Sequence, residues 1–119
     1  MISFRSFTKR YGRQTAVESL ALEVQEGEAL ALLGPNGSGK TTSLKGAAGL
    51  IHPTAGEVLL GRPGRRASVP EARRVLSYLP QRVSFPEPLT GREVVEFYRA
   101  LRGAAAGRTN EALRFASLN

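Results

Sequence analysis

Residues 34–42 have the sequence GPNGSGKTT, and this glycine-rich stretch decides the fold. The apolar run ALALL at residues 29–33 precedes it, which predicts a strand covered on both faces. Residues 40–48 contain no proline and are followed by Gly49, which predicts a helix of about three turns with a glycine C-cap. The stretch therefore predicts a tight turn between a buried strand and a helix.

Gly34, Gly39, Lys40 and Thr41 satisfy the spacing of a phosphate-binding loop (P-loop). Glycines at such positions, with Gly37, let backbone N–H groups converge on phosphate oxygens at a helix N-terminus, where the helix dipole also favours anions. The pattern assigns Lys40 to the β and γ phosphates and the Thr41 hydroxyl to Mg²⁺. The other candidate nucleotide-binding residues in the loop are Asn36, Ser38 and Thr42.

Composition narrows the remaining function classes. The 119 residues, with 17 Lys plus Arg against 10 Asp plus Glu, fit one domain at most and carry a net charge of +7. Cys is absent and His52 is the only histidine, which argues against a metal site built from protein ligands alone. No apolar run is longer than residues 29–33, which predicts neither a membrane span nor a signal peptide. We therefore expect a cytoplasmic protein without direct membrane insertion.

Periodicity and turn residues predict the other elements. Alternating apolar residues at Ile2 and Phe4, and again at residues 20–24, predict two early strands that form an antiparallel β element, with a loop at residues 9–15. Further predictions are strands at residues 57–60 and 75–79, a loop at residues 61–67, a helical turn at residues 70–74, a helix capped by Thr90 and Glu93 that ends at Gly103, and a last helix at residues 108–118 capped by Thr109 or Asn110.

Five segments together resemble the ATP-binding subunits of ABC transporters. Besides GPNGSGKTT, they are KRYG at 9–12, GLIHPTAGEVLL at 49–60, VLSYLPQ at 75–81 and LTGREVVEFYRALRG at 89–103. The resemblance implies an α/β fold of the P-loop NTPase type, with an N-terminal antiparallel β element and the start of a helical subdomain. It also implies ATP and Mg²⁺ as cofactors.

The resemblance assigns roles to two residues outside the loop. Tyr11 matches the aromatic residue on which the adenine stacks, although a tyrosine exposed in a surface turn is the alternative. Gln81 matches the Q-loop glutamine, which contacts the Mg²⁺ or attacking-water region and connects the nucleotide site to the membrane partner. An amide that merely caps a turn after a strand is the alternative for Gln81. Gln81 is thus the one catalytic candidate, and Thr41 and Gln81 are the candidates for Mg²⁺.

The same resemblance predicts partners and boundaries. It implies a transmembrane permease subunit, a second ATPase subunit in a dimer, and a location at the inner face of the cell membrane. It divides the chain into a partial nucleotide-binding core at residues 1–89 and the beginning of the helical subdomain at residues 90–119. Phe85 is a candidate for the permease contact or, alternatively, for packing on the domain core. Residues 61–99 look most like exporter-type ATPases, including that of the nitrous-oxide reductase maturation system.

Several motifs of the resembled family do not occur in this sequence. It contains no LSGGQ-type signature, no apolar strand ending in Asp-Glu, no switch histidine after such a strand and no Asp at all. We therefore expect an N-terminal half that binds ATP without efficient hydrolysis, because phosphoryl transfer needs Mg²⁺ support, an oriented water and charge stabilisation together. The flanking strands of the P-loop strand would also be missing, which predicts marginal stability or self-association.

Two other functions compete with this interpretation. A small P-loop kinase would use the same loop, but kinases of that class tend to place the P-loop near the start of the chain, and here two strands precede it. A basic nucleic-acid-binding protein would explain the 14 arginines, but these are scattered from Arg5 to Arg114 and form no cluster. We therefore expect no nucleic-acid partner.

Overall fold

A computed structural model describes residues 1–118 of the chain. These residues form two compact units, where the length alone predicts a single domain. The first unit is Met1–Tyr78 and the second begins at Leu79. The P-loop lies in the first unit.

The first unit is built on one antiparallel sheet with the strand order β2-β1-β3-β4. Its strands are β1 (Ile2–Tyr11), β2 (Gln14–Val24), β3 (Ala55–Leu60) and β4 (Arg65–Arg66). The two early strands are confirmed, and they extend further than the sequence predicts. Only Gly12 and Arg13 remain between them, because Arg10 pairs with Thr15 and Tyr11 pairs with Gln14.

The core of the first unit lies between the sheet and helix α1 (Lys40–Ala47). Phe7 is fully buried, and its ring meets that of Phe4 edge to face with centroids 5.5 Å apart. A Cβ on Gly46 would lie only 2.7 Å from the Phe7 ring, so the helix backbone packs directly on this aromatic side chain. Val58 and Leu60 from β3 complete the contact. Phe4 and Phe7 of β1 thus belong to a core that is covered by the helix that follows the P-loop.

After the P-loop, the predicted helix and helical turn are present, and the loop predicted at residues 61–67 needs correction. Helix α1 is confirmed, and Gly49 follows its C-terminus with a left-handed φ of 69°. The helical turn is confirmed as α2 (Pro70–Arg73), with Ala72 buried. Residues 61–67 are not only a loop, because β4 pairs with the end of β3 and the backbone N–H of Ala67 donates to the Val58 carbonyl. The sequence does not predict this strand because both β4 residues are exposed arginines, which show no alternation of apolar and polar side chains.

The predictions of strands at residues 29–33 and 75–79 are wrong. Neither segment pairs with a strand among residues 1–118, and both run as irregular backbone or turn. Leu33 is 91% exposed and Val75 is 81% exposed, whereas the apolar runs predict burial. A strand exists only when a neighbouring strand pairs with it, and neither segment is part of the sheet that residues 1–118 form.

The second unit contains α3 (Gly91–Leu101) and α4 (Arg108–Phe115). The capping box of α3 is confirmed, since the Thr90 hydroxyl accepts from the Glu93 N–H and the Glu93 carboxylate accepts from the Thr90 N–H. The caps predicted for α4 are wrong, because its N-cap is Gly107, without a side-chain cap. Thr109 lies inside the first turn and is buried, and the Asn110 side chain accepts from Arg92 instead.

The helices of residues 1–118 are all too short and too polar to cross a lipid bilayer.

Candidate nucleotide-binding site

The P-loop reaches helix α1 through glycines in left-handed backbone conformations. Gly37 has φ 84°, and Gly39, the N-cap of the helix, has φ 88°. Residues other than glycine rarely adopt such positive φ values. A Cβ on Gly39 would lie 2.4 Å from the Ala16 carbonyl oxygen and 2.8 Å from Val17 Cγ2. Glycine is therefore needed at position 39 for two reasons. The turn requires a positive φ, and the close packing of the loop on β2 leaves no room for a Cβ.

Lys40 closes the loop on itself. Its ammonium group donates to the carbonyl oxygens of Gly34 and Pro35, the latter at 2.7 Å, and to Ser38 Oγ at 3.2 Å. An ammonium has three N–H donors, so these three acceptors satisfy all of them. The side chain is thereby fixed beside the turn instead of extending into solvent.

The backbone N–H groups at the N-terminus of α1 are not capped by a side chain. The first hydrogen bond of the helix runs from the Ser43 N–H to the Gly39 carbonyl, and Ser43 Oγ donates to the same oxygen. The N–H groups of Lys40, Thr41 and Thr42 precede that bond, so they belong to the first turn that has no intrahelical acceptor. No side chain caps the helix, and its first turn has no acidic residue. This arrangement favours an anion at the loop.

Thr41 and Thr42 occupy that first turn in different surroundings. Thr41 is exposed, and Thr42 is half-buried. An exposed hydroxyl oxygen next to the loop is the type of ligand that Mg²⁺ accepts together with phosphate oxygens and water. Among residues 1–118 no three His, Cys, Asp or Glu side chains are grouped to hold a metal ion. A divalent cation at this site would therefore depend on the nucleotide for most of its ligands.

Tyr11 lies at the end of the hairpin on which the P-loop packs. It pairs with Gln14 in β2, and Gln14 is two residues from Ala16, whose carbonyl faces Gly39. With about 3.3 Å per residue and about 5 Å between strands, the tyrosine is roughly 10 Å from that contact. Its side chain is 49% exposed, and the Lys9 ammonium lies 5.1 Å from the ring centroid. An aromatic ring and the anion-favouring loop are therefore both positioned by the hairpin of β1 and β2.

Gln81 belongs to the second unit, and its side chain is exposed. The strand that the sequence predicts just before it is absent, so the residue follows irregular backbone. The P-loop residues and Tyr11 lie together in the first unit, whereas the role of Gln81 remains a prediction.

The second unit exposes an aromatic cluster formed by Phe85, Phe97 and Tyr98. The Tyr98 ring meets Phe85 at 6.4 Å and Phe97 at 5.5 Å between centroids, both edge to face. Each of the three side chains is about half exposed, and α3 buries none of its residues. The alternative in which Phe85 packs into a core is therefore not what the structure has.

Three residues of the site are not among those that the sequence predicts. Val17 packs on Gly39, Ser43 fixes the carbonyl of the N-cap, and Lys9 faces the tyrosine ring. Ser43 carries a local signal, since a serine four residues after an N-cap can bond back to its carbonyl. Val17 and Lys9 depend on the register of the hairpin, which shifts between Phe7 and Lys9 and between Lys9 and Arg10.

Comparison with known proteins agrees with this geometry. Residues 17–118 match the family described as ABC transporter. The chain is 39% identical over 112 residues to the uncharacterized ABC transporter ATP-binding protein YxlF of Bacillus subtilis, covering 93% of this chain and 36% of that protein. It is also 39% identical over 120 residues to the spermidine/putrescine import ATP-binding protein PotA of Methylococcus capsulatus, covering 98% of this chain and 31% of that protein.

Solved structures of ABC transporter ATP-binding subunits have a similar fold. The structure of an ATP binding subunit of an ABC transporter matches with a TM-score of 0.84 and 29% identity, over 98% of this chain and 50% of that one. The dimeric cassette MJ0796 matches in a form bound to ADP and Pi, with a TM-score of 0.82 and 29% identity, over 100% of this chain and 58% of that one. The chain thus spans about a third of those two curated relatives and about half of the solved ones. It belongs to the ABC transporter family, with the P-loop NTPase fold of that family's ATP-binding subunits.

Proposed function

We propose that this chain carries the ATP-binding site of an ABC transporter ATP-binding subunit. The observation that carries the proposal is the P-loop itself, where Lys40 sits beside the uncapped N-terminus of α1. Backbone N–H groups of that first turn would hold phosphate oxygens, and Lys40 would redirect N–H donors from the loop carbonyls to the β and γ phosphates. The ADP and Pi bound to the similar cassette MJ0796 support the same ligand class.

The remaining parts of the nucleotide follow from the neighbouring residues. Tyr11 would stack on the adenine, since half of its side chain is open to solvent and it stands on the hairpin that supports the loop. Thr41 would give its hydroxyl to Mg²⁺, and Gln81 would have the role of the Q-loop glutamine. Bound Mg²⁺ would neutralise charge on the phosphates.

The chain as described would bind ATP without efficient turnover. Its sequence offers no Asp, and no described carboxylate lies in the first turn of α1 or caps it. Without the carboxylates that support the cation and the attacking water, the loop supplies only part of what phosphoryl transfer needs.

The partners proposed are those of the family. The exposed aromatic cluster of Phe85, Phe97 and Tyr98 is the surface that we assign to the permease subunit, because an aromatic patch of this kind marks an interaction site. A second ATPase subunit is proposed because the similar cassette MJ0796 is a dimer. In that assembly the protein would lie at the inner face of the membrane, held there by its permease.

Titration calorimetry of Mg-ATP tests the binding site. We expect saturable binding to the wild-type chain and at least about tenfold weaker binding to Lys40→Met, because a charge-assisted contact to phosphate is removed. Lys45→Met is the matched control, since Lys45 is an exposed lysine in the last turn of the same helix and should leave the affinity unchanged. Circular dichroism establishes that each variant folds. Equal affinities for the wild type and Lys40→Met would contradict the proposal.

A steady-state phosphate-release assay tests turnover separately. We expect the wild-type rate to equal that of Lys40→Met. A rate well above this control would show that the chain hydrolyses ATP and would contradict only the statement about turnover.

A further inference from the structure

Lys9 lies against the tyrosine of the proposed base platform and is fixed there by the backbone. Its ammonium donates to the His52 carbonyl at 2.9 Å and lies 5.1 Å from the centroid of the Tyr11 ring. The loop that holds His52 follows helix α1, so this one side chain connects the start of the sheet to the segment after the P-loop helix. A lysine with such a hydrogen bond has less conformational freedom than a surface lysine without one.

The ammonium covers one face of the tyrosine ring. A cation over an aromatic face is attracted by the negative charge of the π system, so the contact favours one orientation of the ring. The side chain is nevertheless 49% exposed, which leaves ring surface open to solvent for a base. A ring that is already oriented loses less conformational entropy when a base stacks on it.

The strand register connects Lys9 to the phosphate end of the site as well. Lys9 is paired with Val17 across the hairpin, and a Cβ on Gly39 of the P-loop would lie 2.8 Å from Val17 Cγ2. The residue that faces the tyrosine ring and the residue that packs on the loop are therefore direct neighbours on adjacent strands. A shift of either strand would move the ring relative to the loop.

We propose that Lys9 is a positioning residue for nucleotide binding, which holds the Tyr11 ring with one face covered so that the purine stacks on the other. This inference rests on the proposed function. If Lys9 orients the ring, its loss should weaken the binding only of ligands that have a base. If Lys9 only adds positive charge near the phosphates, its loss should weaken the binding of ligands with and without a base equally.

Calorimetry with two ligands, Mg-ATP and inorganic triphosphate, separates these roles. We expect Lys9→Met to bind Mg-ATP about threefold more weakly than the wild type and to bind triphosphate unchanged. Lys9→Arg should restore the ATP affinity, since a guanidinium also stacks on an aromatic face. Lys45→Met removes the same charge elsewhere in the first unit and should change neither affinity.

A double-mutant cycle adds a readout that a purely structural role would not move. In the Tyr11→Ala background, Lys9→Met should have no further effect on Mg-ATP affinity, because the ring on which it acts is gone. The NMR signals of the Tyr11 ring in the ligand-free protein should also shift in Lys9→Met and return towards the wild type in Lys9→Arg.

The outcomes that overturn the inference are distinct from failure of the proposed function. Equal losses for ATP and triphosphate, or additive effects of the two substitutions, would assign Lys9 to general electrostatics and overturn the positioning role alone. If Lys9→Met does not fold while Lys9→Arg folds and binds as the wild type does, Lys9 has a structural role and the positioning role is overturned. Absence of binding of both ligands to the folded wild-type chain would overturn the proposed function and this inference with it.

Discussion

At the residue scale, the P-loop shows how the same backbone conformation can have different consequences. Gly37 and Gly39 have nearly equal positive φ values of 84° and 88°. No heavy atom lies within 4 Å of a Cβ built on Gly37, whereas a Cβ on Gly39 would lie 2.4 Å from the Ala16 carbonyl oxygen. The first glycine is needed for its backbone freedom alone, and the second also because β2 leaves no room.

Alanine substitution should separate these two effects. We expect Gly37→Ala to lower the free energy of unfolding by about 1 kcal/mol, the cost of a left-handed conformation for a residue with a Cβ. Gly39→Ala should lower it by about 3 kcal/mol, because the clash with β2 adds to that cost. Urea denaturation followed by circular dichroism measures both. Equal losses for the two variants would mean that the loop moves away from β2 at little cost.

At the element scale, α3 is stabilised by a cap that depends on pH. The Thr90 backbone N–H, followed by the Thr90 hydroxyl, donates a hydrogen bond to the Glu93 carboxylate and holds the pKa of that group below its ordinary value of 4.5. A carboxyl whose pKa is lower in the folded state stabilises that state at pH values above its unfolded pKa. This contribution is lost as the pH falls below 4.5 and through the lowered pKa of the folded state.

The loss should be seen in the pH dependence of helix stability. We expect Glu93→Gln to remove part of the decrease in stability that the wild type shows below pH 4.5, because the substituted side chain does not titrate. Chemical denaturation at a series of pH values gives the difference between the two proteins. Glu96→Gln, on the same helix, controls for the change in net charge. A parallel pH profile for the wild type and Glu93→Gln would contradict this role of the cap.

The elements that could be predicted from the sequence are those with local signals. Helices α1 and α3 carry their boundaries in the residues that flank them, namely Gly49 and the Thr90 capping box. The P-loop is equally local, because its glycine spacing determines the turn. Strands at residues 29–33 and 75–79 could not be predicted correctly, since an apolar run becomes a strand only beside a partner. The contact of Lys9 with Tyr11 depends on irregular strand register, which leaves no mark in the sequence pattern.

At the scale of the whole molecule, several large apolar side chains are exposed. Leu33, directly before the P-loop, is 91% exposed, and Val75 is 81% exposed. Both lie in segments whose backbone groups have no strand partner among the described residues. Exposed apolar side chains in segments that belong to no sheet are a recognised cause of association between chains.

We therefore expect the chain to associate with itself at micromolar concentrations. Sedimentation velocity should show a weight-average sedimentation coefficient that rises with concentration, and Leu33→Lys should reduce the rise because it places a charge in the exposed segment. Leu50→Lys is the matched control, since Leu50 is also exposed, at 56%, but lies outside both segments. A wild-type chain that stays monomeric and melts cooperatively over this range would rule out the prediction.

Strand β1 has a consequence for the order in which the first unit assembles. It pairs with β2 through a two-residue turn, a step that takes about 1–10 μs in hairpins, but its pairing with β3 must close the chain segment that contains the P-loop and α1. The hairpin should therefore form first, and the loop should reach its final shape only when Ile2 meets Leu60. A nucleotide that binds only this late structure would slow unfolding and leave the folding rate unchanged. The kinetic lifetime of the folded unit would then follow the concentration of its ligand.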